Sequence, residues 1–401
     1  MGLELGAAKK ADTIGFASDA RAPPNQRPAV PMPSTLIITN DFPPWVGGIE
    51  SFVSDICDLL DYDVVVYTSG VPGAAASDRE RPFPVIRDGP LLLPTPRVAS
   101  RAASLLRATG ATRVIFGAAA PLGLLGPVLR RAGARRIVGL THGHETWWAR
   151  LPAVRQLLRR IGDSCDHLTT ISSYTERRIA SALTPSARRR LLRLAPPVDT
   201  ERFRPPQAAA QRSAARCIAV ARLIPQKGLC TLLRAWRIVI DRAARSHLAP
   251  ELTIVGDGPQ RGLLERTVQE LELSKSTRII GALPRTGVIA QLQQAGVFAL
   301  PVRTRWAGLN PEGLGLAALE AAACGLPVIV GHSGGTPETV READTGFLVP
   351  SGDHRLLAER LSLLLENPSL AQQMGSRGRH YVSAHFSMDS ARARLREALE
   401  L

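Results

Sequence analysis

PEGLGLAALEAAACGLPVIVG, residues 311–331, reads as a turn, a helix and a buried strand in immediate succession. Gly313 and Gly315 make the turn, Leu316, Leu319 and Ala323 carry the helix, Gly325 stops it, and the apolar run 327–330 follows. Glu312 lies on the loop entering the helix, and Glu320 lies about two turns in on a similar face. A helix N-terminus offers unbonded N–H groups and the positive end of a dipole, which suits a diphosphate. Two carboxylates beside it suit the hydroxyls of a ribose and a sugar, while the alternative is two solvated glutamates on an ordinary α/β helix.

The same alternation extends both ways. Upstream in this half, 217–223, 252–259, 277–282 and 297–302 read as strands, and 347–350 follows as another. Arg222 at a strand end and Lys227 beside Gly228 can converge on phosphates, the first in a bidentate and the second in a point-charge fashion. Plain solvation is the alternative for both. Gly256 and Gly258 in LTIVGDGP mark a second loop of close backbone approach. In the first half, strand 35–40 leads into the tight loop DFPPWVGG and an amphipathic helix at 49–60. Further strands are expected at 64–68, 85–87, 114–117, 137–141 and 167–173, with helices at 98–108, 122–131, 151–161 and 174–182. Strand and helix in alternation predict parallel sheets covered on both faces.

Gly47 and Gly48 follow the first strand without a GxGxxG, so they are read as letting a sugar diphosphate approach the backbone rather than as a dinucleotide fingerprint. THGHETWW, 141–148, ends a strand at the edge where open α/β sheets bind ligands. His142 is expected to hydrogen-bond a sugar hydroxyl; a zinc site with His144 lacks a third ligand at recognisable spacing. Asp61 and Asp63 are read as turn and strand-edge residues in preference to a metal-binding Asp-x-Asp.

The 401 residues are 45% hydrophobic, enough for two domains with their own cores. Residues 1–33 lack a sustained apolar run and read as a flexible leader without a signal-peptide core. No stretch is long and apolar enough to span a bilayer. Five cysteines without a CxxC pair point to reduced thiols in a cytoplasmic protein. The formal charge of +15 is almost all arginine, clustered at 130–136, 155–160, 177–178 and 188–193. In 151–161 the arginines form one stripe and the leucines another, as in a helix on an anionic bilayer surface or a solvated helix on its own domain. Nucleic acid is not the expected partner, because the arginines are not interleaved with stacking aromatics, which make up only 4% of the chain.

Together NDFPPWVGGIE, FGAAAPLGLL, THGHETWW, ARLIPQKG, VGDGP, the 301–331 segment and GGTPETV resemble glycosyltransferase family 4, over about 34–390. Within it they are most similar to the phosphatidylinositol monomannoside mannosyltransferases. The resemblance implies a retaining GT-B enzyme: two Rossmann-like domains facing across a cleft, the acceptor side at 34–205, the nucleotide-sugar side at 206–380 and closing helices at 381–401. It implies GDP-mannose as donor, an anionic glycolipid acceptor, no metal or other cofactor, and a cytoplasmic protein held peripherally at the inner face of the cell membrane. Arg222 and Lys227 would bind the donor diphosphate, with Gly313, Leu314 and Gly315 at the helix N-terminus, Glu320 on the ribose and Glu312 on the sugar hydroxyls. Gly47, Gly48, Gly256 and Gly258 would complete the donor pocket, and His142 would meet the transferred sugar. Departures at Trp306, Asn310 and Pro311, ahead of Glu312, keep another nucleotide sugar and a soluble acceptor open as the alternative.

Overall fold

Strands that are apolar along their whole length cannot leave a face in water, and here they form two wholly parallel sheets with helices on both sides. The computed structural model describes residues 34–401 apart from 46, 150, 209–211, 246–247, 306–307 and 309. The leader at 1–33 and Trp306 therefore lie outside the described residues.

The first sheet has seven strands in the order β3 (Val85–Arg87), β2 (Val64–Thr68), β1 (Thr35–Thr39), β4 (Arg113–Phe116), β5 (Arg136–Leu140), β6 (His167–Thr170) and β7 (Leu191–Arg193). The second has six, in the order β10 (Thr277–Ile279), β9 (Glu251–Val255), β8 (Arg216–Val220), β11 (Val297–Leu300), β12 (Val328–Gly331) and β13 (Gly346–Val349). In each the strand order reverses once, between β1 and β4 and between β8 and β11. The crevice at such a reversal, outside the strands' C-terminal ends, is where this architecture holds ligands.

Side chains alternate across β1: Ile37 packs in the layer holding Phe52 and Ile56 of the helix Gly48–Leu59, and Leu36 and Ile38 in the layer holding Val98 and Leu106 of the helix Pro96–Thr109. Burying one such side chain contributes about 1.5–3 kcal/mol. Thr95 caps the second helix on the Val98 N–H at 3.4 Å, and Gly110 ends it with φ of +68°.

The chain passes between the two sheets twice. The Val198 N–H donates to the Phe386 carbonyl at 2.7 Å and Val198 bridges Ser387, so both crossings run side by side. The closing segment starts earlier than residue 381, within the single helix Pro368–His385. The helix Met388–Leu399 then returns to the first domain, where Arg392 donates to the Leu59 carbonyl at 2.8 Å.

One local expectation changes, and three short elements lie where no pattern is read. The helix expected at 122–131 is divided into Ala119–Leu122, Gly123–Leu125 and Gly126–Arg131, where Pro121, Gly123, Gly126 and Pro127 disfavour one continuous helix. The arginine cluster at 188–193 conceals β7, an edge strand of only three residues. Short helices Ala74–Arg79 and Pro185–Arg189 were too brief to show a period. Four of the five cysteines are buried free thiols and Cys230 is half-buried.

Candidate active site

The loops leaving β5 and β6 in one domain meet those leaving β11 and β12 in the other. A Cβ on Gly143 would stand 3.0 Å from the Gly313 Cα, and one on Gly313 would stand 2.7 Å from the His142 carbonyl oxygen. The THGHE and EGLG segments are therefore in backbone contact across the cleft. Gly143, with φ of +98°, has no room for a side chain there.

On the second domain, Lys227 Nζ lies 2.9 and 2.8 Å from the two carboxylate oxygens of Glu312. Both side chains are mostly buried, at 19% and 14% exposed. Their loops are held from several directions. Arg303 donates through Nε to the Pro225 carbonyl, 2.9 Å, and through its backbone N–H to the Gln226 carbonyl, 2.8 Å. Gln226 Nε2 donates to the Pro311 carbonyl at 2.9 Å, which ties the lysine loop to the segment before Glu312. Gly228 has φ of +70°, and a Cβ there would overlap the Pro301 carbonyl oxygen, so Lys227 sits where its loop packs against the β11 loop backbone. Arg222, two residues past the end of β8, is exposed, and its guanidinium has no ion-pair partner among the described residues.

Gly315, with φ of +108°, precedes the helix Leu316–Ala323, whose first N–H groups at Leu316 and Ala317 make no intrahelical bond. Gly313, Leu314 and Gly315 lead into that N-terminus directly after Glu312. Gly256 and Gly258 have a further reason to be glycine. Their missing side chains make room for the Arg222 loop, where a Cβ would overlap the Ala221 carbonyl oxygen or stand 2.7 Å from that of Leu223. At Gly48 a Cβ would meet nothing within 4 Å, whereas at Gly47 it would overlap the Glu50 carboxylate.

His142 is fixed by its own loop. The buried Glu145 carboxylate accepts the His142 and Gly143 backbone N–H groups at 3.0 and 3.1 Å, and its other oxygen lies 3.4 Å from His144 Nε2. The His142 ring packs edge-on to Phe52. Its Nε2 lies 2.5 Å from the Gly117 carbonyl at the end of β4, an acceptor that requires Nε2–H as donor. Burial lowers the His142 pKa, outweighing the Glu145 charge, so the ring is neutral and Nδ1 is left as an acceptor for a hydroxyl.

Glu320 does not share partners with Glu312. Its carboxylate lies 4.0 Å from Arg285, which also stands 3.9 Å from Asp55 of the first domain and over the Phe203 ring. Burial pushes both Glu320 and Asp55 up to about 7, against the opposing pull of Arg285. Sequence patterning missed Asp55 and Arg285, because one charge on an amphipathic helix and one after a Pro look like solvated surface. Their meeting depends on two helices from different domains.

Among the described residues no three His, Cys, Asp or Glu side chains group as a metal ligand set. Asp61 pairs with Arg392 and Asp63 accepts from Ser34, so the Asp-x-Asp is occupied by the protein itself.

Comparison with known proteins gives the same two halves. Residues 46–202 match the family model described as Glycosyltransferase Family 4, and residues 202–381 match Glycosyl transferases group 1. The GDP-mannose-dependent alpha-(1-6)-phosphatidylinositol monomannoside mannosyltransferase of Mycolicibacterium smegmatis is 42% identical over 91% of this chain and 97% of its own length. The GDP-mannose-dependent monoacylated alpha-(1-6)-phosphatidylinositol monomannoside mannosyltransferase of Corynebacterium glutamicum is 40% identical over the same shares. Among solved structures, Anabaena Alr3699/HepE in complex with UDP superposes with a TM-score of 0.75 over 92% of this chain and 99% of that one, at 16% identity. Sucrose-phosphate synthase from Thermosynechococcus elongatus gives 0.73 over 91% and 98%, at 20% identity. These structural likenesses speak to the fold alone. With two parallel-sheet domains facing across a cleft, both halves matched by glycosyltransferase models and relatives about 40% identical along nine-tenths of its length, the chain belongs to glycosyltransferase family 4 and has the GT-B fold.

Proposed function

We propose that this glycosyltransferase moves mannose from GDP-mannose to a phosphatidylinositol mannoside-type glycolipid, with retention at the anomeric carbon. The observation that carries the site is the Lys227–Glu312 pair at the strand-order reversal, backed by a helix N-terminus and faced by the His142 loop. Donor and acceptor rest on the two 40–42% identical relatives, whose names specify both.

In this reading the diphosphate lies at the N-terminus of Leu316–Ala323, with Gly313, Leu314 and Gly315 beneath it and Arg222 and Lys227 alongside. Glu312 takes sugar hydroxyls, Glu320 the ribose, and His142 accepts a sugar hydroxyl at Nδ1. Gly48, open on its Cβ side, and Gly47 border the phosphates, with Gly256 and Gly258 shaping the Arg222 loop beside them. As the bond from the anomeric carbon to the phosphate oxygen breaks, charge accumulates on the diphosphate, where two cations and fixed N–H dipoles stabilise it without a metal. The acceptor hydroxyl attacks from the face the diphosphate leaves and passes its proton to a phosphate oxygen.

The acceptor side is the first domain, which carries the basic helix Pro152–Ser164 with Arg155, Arg159 and Arg160 exposed. No helix among the described residues is long and apolar enough to cross a membrane. We place the enzyme in the cytoplasm, bound peripherally to the inner face of the cell membrane through this helix, whose charge suits an anionic lipid surface.

The test is transfer of radiolabel from GDP-mannose to phosphatidylinositol monomannoside in anionic liposomes, with EDTA present, counted in the organic phase. Label in that phase, lost in Lys227→Ala and Glu312→Ala, is the expected result. Absence of label despite GDP binding would overturn the donor or acceptor assignment, and dependence on an added divalent ion would overturn the metal-free step.

A further inference from the structure

A second joint between the domains lies one loop beyond Glu312. Glu338 belongs to the second domain, in the short helix Thr336–Glu338 after β12. Its Oε1 accepts the backbone N–H of Ser173 at 2.6 Å, and its Oε2 accepts from Arg193 at 2.5 Å. Ser173 opens the helix Ser173–Ala180 and Arg193 ends β7, both in the first domain. One carboxylate is thus met by a guanidinium and by the positive end of a helix, all from the opposite domain. Arg193 is braced in turn by Glu176, 3.1 Å away, and by the Ser173 hydroxyl. Tyr381 Oη donates to the Glu338 carbonyl at 3.0 Å, which fixes the main chain there.

The loop that Glu338 anchors holds the backbone of Glu312 on both sides. The Glu312 N–H donates to Ser333 Oγ at 3.2 Å, and its carbonyl accepts the Gly335 N–H at 2.9 Å. Thr336 stiffens this loop by accepting the Ser333 N–H and donating to the Gly331 carbonyl, at 3.0 and 2.6 Å. There is no slack around it. A Cβ on Gly334 would overlap the Glu312 carbonyl oxygen, and one on Gly335 would overlap that of Gly313 and stand 2.8 Å from the Ser172 side chain.

We propose that Glu338 and Arg193 form a clamp between the domains and are positioning residues for Glu312. Closure of the first domain onto Glu338 seats the 333–336 loop, and that loop sets the Glu312 backbone relative to Lys227. Glu338 itself has no place in the donor pocket described above. The proposal rests on the glycosyltransferase reading for what Glu312 does, but not for the joint itself.

The experiment compares full-length wild type with Glu338→Ala, Glu338→Gln and Arg193→Ala. It uses small-angle scattering without ligand, GDP affinity by calorimetry, and kcat and KM with GDP-mannose. Glu338→Ala and Arg193→Ala are expected to increase the radius of gyration and lower kcat about 10- to 100-fold, the range a misplaced reacting group costs. GDP affinity stays within about twofold, since only a geometry needed at the transition state is lost. Glu338→Gln keeps an oxygen for the Ser173 N–H and gives back part of the rate. Unchanged scattering and kcat would overturn the clamp, as would a fall in GDP affinity that matches the fall in kcat. If Glu338→Ala does not fold, Arg193→Ala decides, because its side chain is 35% exposed at a sheet edge. If wild type does not use GDP-mannose, the donor assignment has failed and the scattering comparison alone decides the clamp.

Discussion

Lys227 and Glu312 hold each other, yet the proposed reaction asks each to hold a different part of the donor. GDP carries the phosphates and ribose but no mannose, so it draws on Lys227 and leaves Glu312 behind. At 2.8 Å and an effective dielectric near 20, the gross attraction between the two is about 6 kcal/mol. Desolvation and side-chain ordering offset most of it, and for this mostly buried pair the net is about 1 kcal/mol. Glu312→Gln releases that hold and should tighten GDP binding about fivefold, 1.4 kcal/mol being tenfold. Lys227→Ala removes a charged hydrogen bond to phosphate, about 1.5–3 kcal/mol, and should weaken GDP about 10- to 150-fold. Both variants should lose most turnover with the sugar nucleotide. Calorimetry with GDP and initial rates with GDP-mannose separate the two effects. A Glu312→Gln enzyme that binds GDP as weakly as Lys227→Ala would refute the reasoning, because Glu312 would then contribute to nucleotide binding itself.

Three other outcomes follow from the geometry. Asp55 and Glu320 are raised by burial to about 7 from ordinary values of 3.8 and 4.5, so the folded chain holds these protons where the unfolded chain has released them. Stability therefore falls as pH rises from about 4 to 7 and levels above, and Asp55→Asn, though Asp58, Asp199, Arg202 and Arg285 remain around it, should flatten that slope in thermal melts; an unchanged slope refutes it. Gly228→Ala forces an L residue into φ of +70° and against the Pro301 carbonyl, costing about 2–5 kcal/mol from the left-handed backbone and overpacking together, which urea unfolding would measure against a refuting result under 1 kcal/mol. Arg159→Ala with Arg160→Ala removes two exposed charges at about 1 kcal/mol each near an anionic surface, so flotation with anionic liposomes should weaken about 30-fold, and salt should do the same to wild type; salt-insensitive flotation would refute the membrane contact.

The sheets were legible because their strands are apolar runs bounded by Gly and Pro, and 64–68 and 85–87 match β2 and β3 to the residue. The 311–331 segment also matches, since its glycines stand where the backbone needs positive φ, at Gly315 and Gly325. Strand order was not legible from local pattern, and it is the order that puts the β1, β4, β8 and β11 loops at two reversals facing one cleft. Lys227 and Glu312 were singled out separately, 85 positions apart, but their direct pairing exists only in three dimensions. For the same reason the meeting of Glu320 with Arg285 and Asp55, and likewise that of Arg193 with Glu338, gives no signal in sequence. Each is an ordinary charge on its own helix, strand or loop, and acquires meaning from the opposite domain.

The arginine surplus divides residue by residue along the same line. Within 130–136, Arg130 pairs with Asp166 and Arg136 pairs with Glu400 and donates to the Ala398 carbonyl, joining the last helix to β5. Within 188–193, Arg190 donates to the Cys165 carbonyl and Arg193 makes the joint to Glu338. These four are structural, and an anionic surface could recruit them only by breaking contacts that order the first domain. Arg131, Arg135, Arg159, Arg160, Arg177, Arg188 and Arg189 are exposed instead, and Arg178 lies over the Tyr174 ring. A net charge of +15 thus overstates what a lipid surface can use. Salt-dependent attraction comes from exposed charges within about 8–10 Å of the partner, so it should follow the free subset on the first domain rather than the total.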